Sequence, residues 1–206
     1  MKKILSVVLC IVLSCLIISC GNNNASTNSK QESIAKIGGE NMNNPKVEIS
    51  VKGFGVMQLE LDPTNAPITC ENFLKLVNEG FYDGLTFHRI ITGFMIQGGD
   101  PLGNGTGGSE NTIKGEFASN GINNPIEHKR GVISMARSSN KDSASSQFFI
   151  MHQDGQFLDG EYAAFGHVTS GIEVVDRICD VTPVLDNNGT VDALDQPVIE
   201  YIKVIK

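Results

Sequence analysis

Tryptophan is missing from this chain, so no site in it can offer an indole N–H. Cysteine is sparse: of five, Cys10, Cys15 and Cys20 fall in the first twenty residues, leaving only Cys70 and Cys179. Two cysteines at no telling spacing imply no disulfide framework. They read as small buried hydrophobes, with pairing in an oxidising compartment as the alternative. Chemical motifs are missing too. There is no G-x-S-x-G or H-E-x-x-H string, and His88, His128, His152 and His167 show no metal-ligand spacing. Hydrolase and metal-site readings therefore have no support, and no cofactor is implied. Basic residues are outnumbered, 16 Lys and Arg against 23 Asp and Glu, for a net charge of -7. That balance argues against nucleic acid as a partner.

What is present begins with an export signal. Lys2 and Lys3 form a positive n-region, Ile4 to Ile18 an apolar stretch, and Ile17-Ile18-Ser19-Cys20 closes it with a small residue before cysteine. The apolar run is short for a spanning helix and reads as a signal peptide over residues 1–19. Its last four residues resemble a bacterial lipobox, which implies cleavage before Cys20 and a lipid on its sulfur; a plain signal peptide or an uncleaved anchor is the alternative. The expected location is then the extracytoplasmic face of the cell membrane, held by that lipid. Cleavage removes two lysines and no acid, taking the net charge from -7 to -9. Residues 20–45 are rich in Asn, Ser, Lys and Gly, too polar to offset their ordering entropy, and read as a flexible tether. The remaining span, 46–206, is a usual size for one fold with one core.

Inside that span, Val47 to Lys52 and Val56 to Leu61 alternate around Gly53-Phe54-Gly55, predicting a hairpin. A helix is expected from Pro67 to Asn78, with Ile68, Phe73, Leu76 and Val77 as its buried stripe and Gly80 as its stop. Strands are expected at Val132 to Ala136, Gln147 to Met151, Ala163 to Val168 and Val198 to Ile205, and a short helix at Ile172 to Ile178. Many short strands with two helices point to a mainly β fold, a closed antiparallel barrel or a sandwich. Between Leu102 and Ile126 no period is visible, and a stretch of that length is usually functional. Its Gly103-Asn104-Gly105-Thr106-Gly107-Gly108 string lacks the strand and helix a dinucleotide site needs. Asp186-Asn187-Asn188-Gly189 hints at a calcium loop, but its glycine comes too early and a turn is expected.

The stretch FHRIITGFMIQGGD, Phe87 to Asp100, carries the chemistry. If Thr92-Gly93 folds Phe87 to Ile90 against Phe94 to Gln97, alternation puts Arg89 and Gln97 on one wall. Further on stand GVISMARSSNKDSASSQFFI (Gly131 to Ile150), Phe157-Leu158-Asp159-Gly160 and Phe165-Gly166-His167-Val168. Taken with FHRIITGFMIQGGD and GTGG, and in the same order through nearly all of residues 47–206, these closely resemble the cyclophilins, peptidyl-prolyl cis-trans isomerases inhibited by cyclosporin.

The resemblance implies an eight-stranded closed antiparallel barrel capped by two helices, with a substrate groove on its outer face. It implies Arg89 as the catalytic arginine and Phe94, Met95, Phe149 and Leu158 as the lining of a proline pocket. Gln97 and the backbone at Arg137 would bind the substrate main chain, Ala136 and Gln147 would flank the groove, and His88 would sit beside Arg89. Phe157 stands where a tryptophan is usual and Tyr162 where a histidine is usual, so weakened cyclosporin binding is expected. The implied partners are proline-containing polypeptides in a monomeric enzyme that assists folding of extracytoplasmic clients. The alternative is a membrane-anchored module that binds such peptides with incidental catalysis; Arg89 favours the enzyme, since a pure binder gains little from a transition-state donor.

Overall fold

The computed structural model describes residues 44–206. The expected signal segment, the expected lipidation at Cys20 and the expected tether as far as residue 43 lie outside the described residues. One eight-stranded antiparallel sheet forms the body, built from β1 (Lys46–Val51), β2 (Gly55–Leu61), β3 (Thr86–Ile91), β4 (Met95–Asp100), β5 (Val132–Met135), β6 (Phe148–Met151), β7 (Ala164–Ser170) and β8 (Ile199–Ile205). Their order across the sheet is β3-β4-β6-β5-β7-β2-β1-β8. Two helices accompany it, α1 (Pro67–Asn78) and α2 (Glu173–Val181), with short 3-10 turns at Ala118–Asn120 and Gln156–Leu158 that the sequence reading did not anticipate.

The expected closed barrel is corrected to an open half-barrel. The terminal strands β3 and β8 form no ladder; they meet through one isolated bridge, Thr86 with Val198. The physical reason lies on the free edge of β3. There the segment Gly189 to Val191 pairs instead, Ile90 N–H donating to Gly189 O at 2.8 Å and Val191 N–H to His88 O at 3.1 Å. Covering an edge with a loop satisfies its backbone groups without another strand.

The strands crossing the middle of the sheet are buried on both faces, which is why they read as unbroken apolar runs. Ile96, Ile133, Met135, Phe148, Ile150 and Phe165 point inward to the main core, joined there by Phe73 of α1 and Ile178 of α2. Their neighbours Met95, Val132, Phe149, Met151 and Ala164 point outward and form a second apolar cluster with Leu158. Period-two geometry requires that division. Phe73 anchors the inner set, its ring 5.2 Å from both Tyr82 and Phe165 and 5.7 Å from Phe148.

Helix α1 matches its expected bounds, but its stripe is corrected: Ile68 is exposed, while Thr69 and Cys70 are buried with Phe73, Leu76 and Val77. No side chain near its start caps it. Glu116, from the long loop after β4, takes the N–H groups of Ile68 and Thr69 and the Thr69 hydroxyl at 3.1, 2.8 and 2.7 Å. A carboxylate at a helix N-terminus also complements the macrodipole, so this contact ties the loop to the helix. Cys70 and Cys179 are unpaired and buried, and burial pushes both thiols up to about 12.

Candidate active site

The β3–β4 hairpin places Arg89 directly opposite Gln97, as alternation predicts. The turn differs from expectation. Phe94 leaves the strand and joins it, with Phe94 N–H on Ile91 O and Phe94 O accepting from the His152 and Gln153 N–H groups at 2.8 and 3.3 Å. His152 Nδ1 also accepts the Gly93 N–H at 2.8 Å, and its Nε2 lies 3.2 Å from Asp176 of α2. Phe94 is thus held over the outer face, not within the ladder. A β-bulge between Phe87 and Arg89 shifts the register, leaving His88 as the extra residue beside Arg89. Bulges of this kind re-aim side chains next to active sites.

Around these residues lies a groove of about 790 Å³. It is lined by His88, Arg89, Phe94, Met95, Gln97, Ala136, Arg137, Phe149, Phe157, Leu158 and Tyr162, eleven of the twelve groove residues expected from the sequence. The twelfth, Gln147, lines an adjoining cavity of about 270 Å³ that shares Gln97, Ala136 and Arg137 with the first. Met95, Phe149 and Leu158 form the buried floor, and the Phe94 and Phe157 rings pack against each other at a tilt, with centroids 5.3 Å apart. Tyr162 meets Phe149 edge-on at 5.8 Å. The ring set therefore makes a slot open on one side, with Phe157 72% exposed at its lip.

Polar groups around the slot are fixed by one another. Arg89 donates through Nε to the Asn188 carbonyl at 2.8 Å and through Nη1 to Gln97 Oε1 at 3.1 Å. Gln97 Nε2 donates to Gln147 Oε1 at 2.9 Å, and Gln147 Nε2 to Gly107 O at 2.7 Å. A relay of this kind decides which way each amide faces. Burial pulls the Arg89 guanidinium below its ordinary value, opposed by Tyr162 and Asp186; an arginine remains charged regardless. The Arg137 side chain is occupied elsewhere: Nε and Nη2 donate to Glu161 O at 3.1 and 2.9 Å, and its guanidinium covers the Tyr162 ring at 4.7 Å. Its backbone lies just past the end of β5 at the groove wall.

Several residues here escaped the sequence reading. His128 stacks on Phe149 at 6.0 Å while its ring nitrogens bridge Asp159 at 2.9 Å and Ser134 at 3.0 Å, so it backs the slot floor. Burial lowers its pKa, opposed by Asp159. Asp186 to Gly189 is the expected turn, but its Asn188 carbonyl aims Arg89, which no spacing rule announces. The wall from Leu185 to Gln196 was likewise unmarked.

A comparison with protein families matches residues 46–204 to the cyclophilin type peptidyl-prolyl cis-trans isomerase/CLD family. The chain belongs to the cyclophilin family. Its enzyme class is peptidyl-prolyl cis-trans isomerase, the name borne by its curated relatives. Peptidyl-prolyl cis-trans isomerase B of Bacillus subtilis is 53% identical over 57% of this chain and 78% of its own length. Peptidyl-prolyl cis-trans isomerase A of Dickeya dadantii is 43% identical over 74% and 80%. A cyclophilin type isomerase of Cryptosporidium parvum, crystallised in the presence of the dipeptide Ala-Pro, superposes with a TM-score of 0.69 at 32% identity, covering 78% of this chain and 99% of that one.

Proposed function

We propose that this cyclophilin accelerates rotation about X-Pro bonds in extracytoplasmic client proteins, as a lipid-anchored monomer that assists their folding. The observation that carries the catalytic part is Arg89, a cation held by Asn188 and Gln97 on the rim of an apolar slot floored by Met95, Phe149 and Leu158. The lipobox-like end of the signal segment, Ile17 to Cys20, supports anchoring. The relative crystallised in the presence of Ala-Pro supports proline-containing polypeptides as ligands.

The chemistry asks for little else. Amide resonance keeps the peptide bond planar behind a barrier of about 18–20 kcal/mol, and uncatalysed X-Pro exchange takes roughly tens to hundreds of seconds. Halfway through rotation the resonance is lost and the prolyl nitrogen gains a lone pair. Arg89 donates a hydrogen bond to that lone pair, which the planar ground state does not offer, so the transition state is bound more tightly than the substrate. The ring slot grips pyrrolidine, while Gln97 and the Arg137 backbone hold the main chain on one side of the bond. The other side is free to turn. Replacing Arg89 with alanine is expected to lower kcat/KM by about 10² to 10³, the usual loss for one transition-state donor. The assay is exchange of an Ala-Pro peptide by NMR, with circular dichroism showing an intact fold. Full activity in this variant would remove Arg89 from the mechanism.

A further inference from the structure

Among the side chains that make the slot, Phe94 is one the sheet does not hold. Met95 and Phe149 are buried strand residues. Phe94 instead follows two exposed turn residues, Thr92 and Gly93, and is itself only half-buried. Core packing therefore does not fix its ring, and its place over the groove depends on whatever grips the turn. One grip comes from α2, where the Cys179 carbonyl accepts the Thr92 hydroxyl at 3.0 Å. The rest comes from the chain just past β6, at His152 and Gln153.

His152 is outside the groove lining, and its side chain is 11% exposed. It reaches the turn twice: its backbone N–H donates to the Phe94 carbonyl, and its Nδ1 accepts the Gly93 N–H, both at 2.8 Å. The second bond requires a bare Nδ1, so the ring proton sits on Nε2, which lies 3.2 Å from Asp176 Oδ1. Which nitrogen carries the proton is set by the bond the other one makes. Asp176 is held in turn, its second oxygen accepting from Arg130 Nη2 at 2.8 Å. Arg130 Nη1 donates to the His152 carbonyl at 2.7 Å and closes the ring of contacts.

We propose that His152 is a positioning residue for the proline slot: by accepting the Gly93 N–H it holds Phe94 over the pyrrolidine site, while Asp176 and Arg130 fix its tautomer. Phe94 meets the proline ring and not the rotating amide, so its contact is the same in the ground state and at the transition state. Loosening it removes uniform binding, which raises KM and leaves kcat nearly alone. Arg89, aimed from the far side by Asn188 and Gln97, does not depend on this contact. Grip on the proline and stabilisation of the turning bond thus rest on separate sets of neighbours.

This inference rests on the isomerase reading, and the test separates the two. An Ala-Pro peptide is titrated into the full chain, with Kd, KM and kcat read from NMR binding and exchange. His152→Leu is expected to raise Kd and KM about three- to tenfold, the value of one neutral hydrogen bond, with kcat within about twofold of wild type. A role in stability alone would lower the folded fraction, cutting apparent kcat at unchanged KM. His152→Asn, whose side-chain carbonyl can stand where Nδ1 stands, is expected to recover most of the loss. Asp176→Ala keeps the imidazole but frees its tautomer, so KM should rise by a smaller factor; it gives the same reading if the leucine variant does not fold. In a Phe94→Ala background His152→Leu should add nothing, since residues acting through one contact are not additive. The nitrogen spectrum of the wild type should show Nδ1 of His152 without a proton. A protonated Nδ1, unchanged Kd and KM in both the leucine and Asp176→Ala variants, or a full effect in the Phe94→Ala background overturns the proposal. Binding without accelerated exchange by the wild type instead overturns the isomerase reading, and the Kd values still decide the role of His152.

Discussion

At the scale of single residues, the groove works because side chains that look ordinary are locked by specific neighbours. Phe157 is the instructive case. It occupies the lip of the slot, largely exposed and tilted against Phe94, with no side-chain N–H to donate. Cyclosporin inhibition is therefore expected to be weak, and Phe157→Trp should strengthen it about five- to tenfold, the value of one regained hydrogen bond. Inhibition curves on the two proteins check this; equal curves would mean the indole is irrelevant here. Arg137 teaches the opposite lesson. Its guanidinium, which the sequence left without a role, bolts the Glu161 carbonyl to the Tyr162 ring, leaving only its backbone for a substrate.

At the scale of elements, two loops do the positioning; the Asp186 to Gly189 turn and the functional loop after β4 were legible, but not what either one aims. The strands and helices were readable within three residues at each end, because alternation on β1 to β4 and a proline-started, glycine-stopped α1 are local signals. Loops aim their backbone groups through contacts distant in sequence, and spacing carries no trace of those. Gly189 shows how tightly one is built. It sits at φ +80°, and a Cβ there would strike the Ile90 carbonyl. Gly189→Ala should cost about 1–3 kcal/mol of stability from the left-handed backbone alone. By moving Asn188 off Arg89 it should also lower kcat/KM by about one to two orders of magnitude. Urea denaturation and peptide exchange measure the two effects separately.

The glycine loop after β4 depends on Asp100, whose carboxylate takes the N–H groups of Leu102, Asn104 and Gly105 at 2.8, 3.1 and 2.6 Å. Burial raises its pKa, but these donors and Gly107 outweigh that and hold it below the ordinary 3.8. As pH falls, the unfolded chain therefore takes up this proton first. The stabilisation is complete above 3.8 and disappears as pH drops through the folded value. Asp100→Asn should be about 1–3 kcal/mol less stable at neutral pH, with the gap closing in acid, as urea titrations at several pH values would record.

At the scale of the whole molecule, the lipid anchor proposed at Cys20 would set where the enzyme works. Cys20→Ala is expected to abolish incorporation of labelled palmitate and to shift the protein out of the membrane fraction, while leaving X-Pro exchange by the domain unchanged. Retention in membranes after that substitution would remove Cys20 as the anchor. The fold was legible at this scale apart from its seam. Closure was expected from the resemblance, yet the edge of β3 is shielded by residues 189–191, a pairing too short to register as periodicity.

The strands under the slot look both ways, and that has an evolutionary consequence. Met95, Gln97 and Phe149 line the groove, while Ile96, Phe148 and Ile150, one position along, pack into the core of the half-barrel. Client preference can drift through the first set without disturbing the second. A lineage can thus retune what it recognises while its architecture stays put.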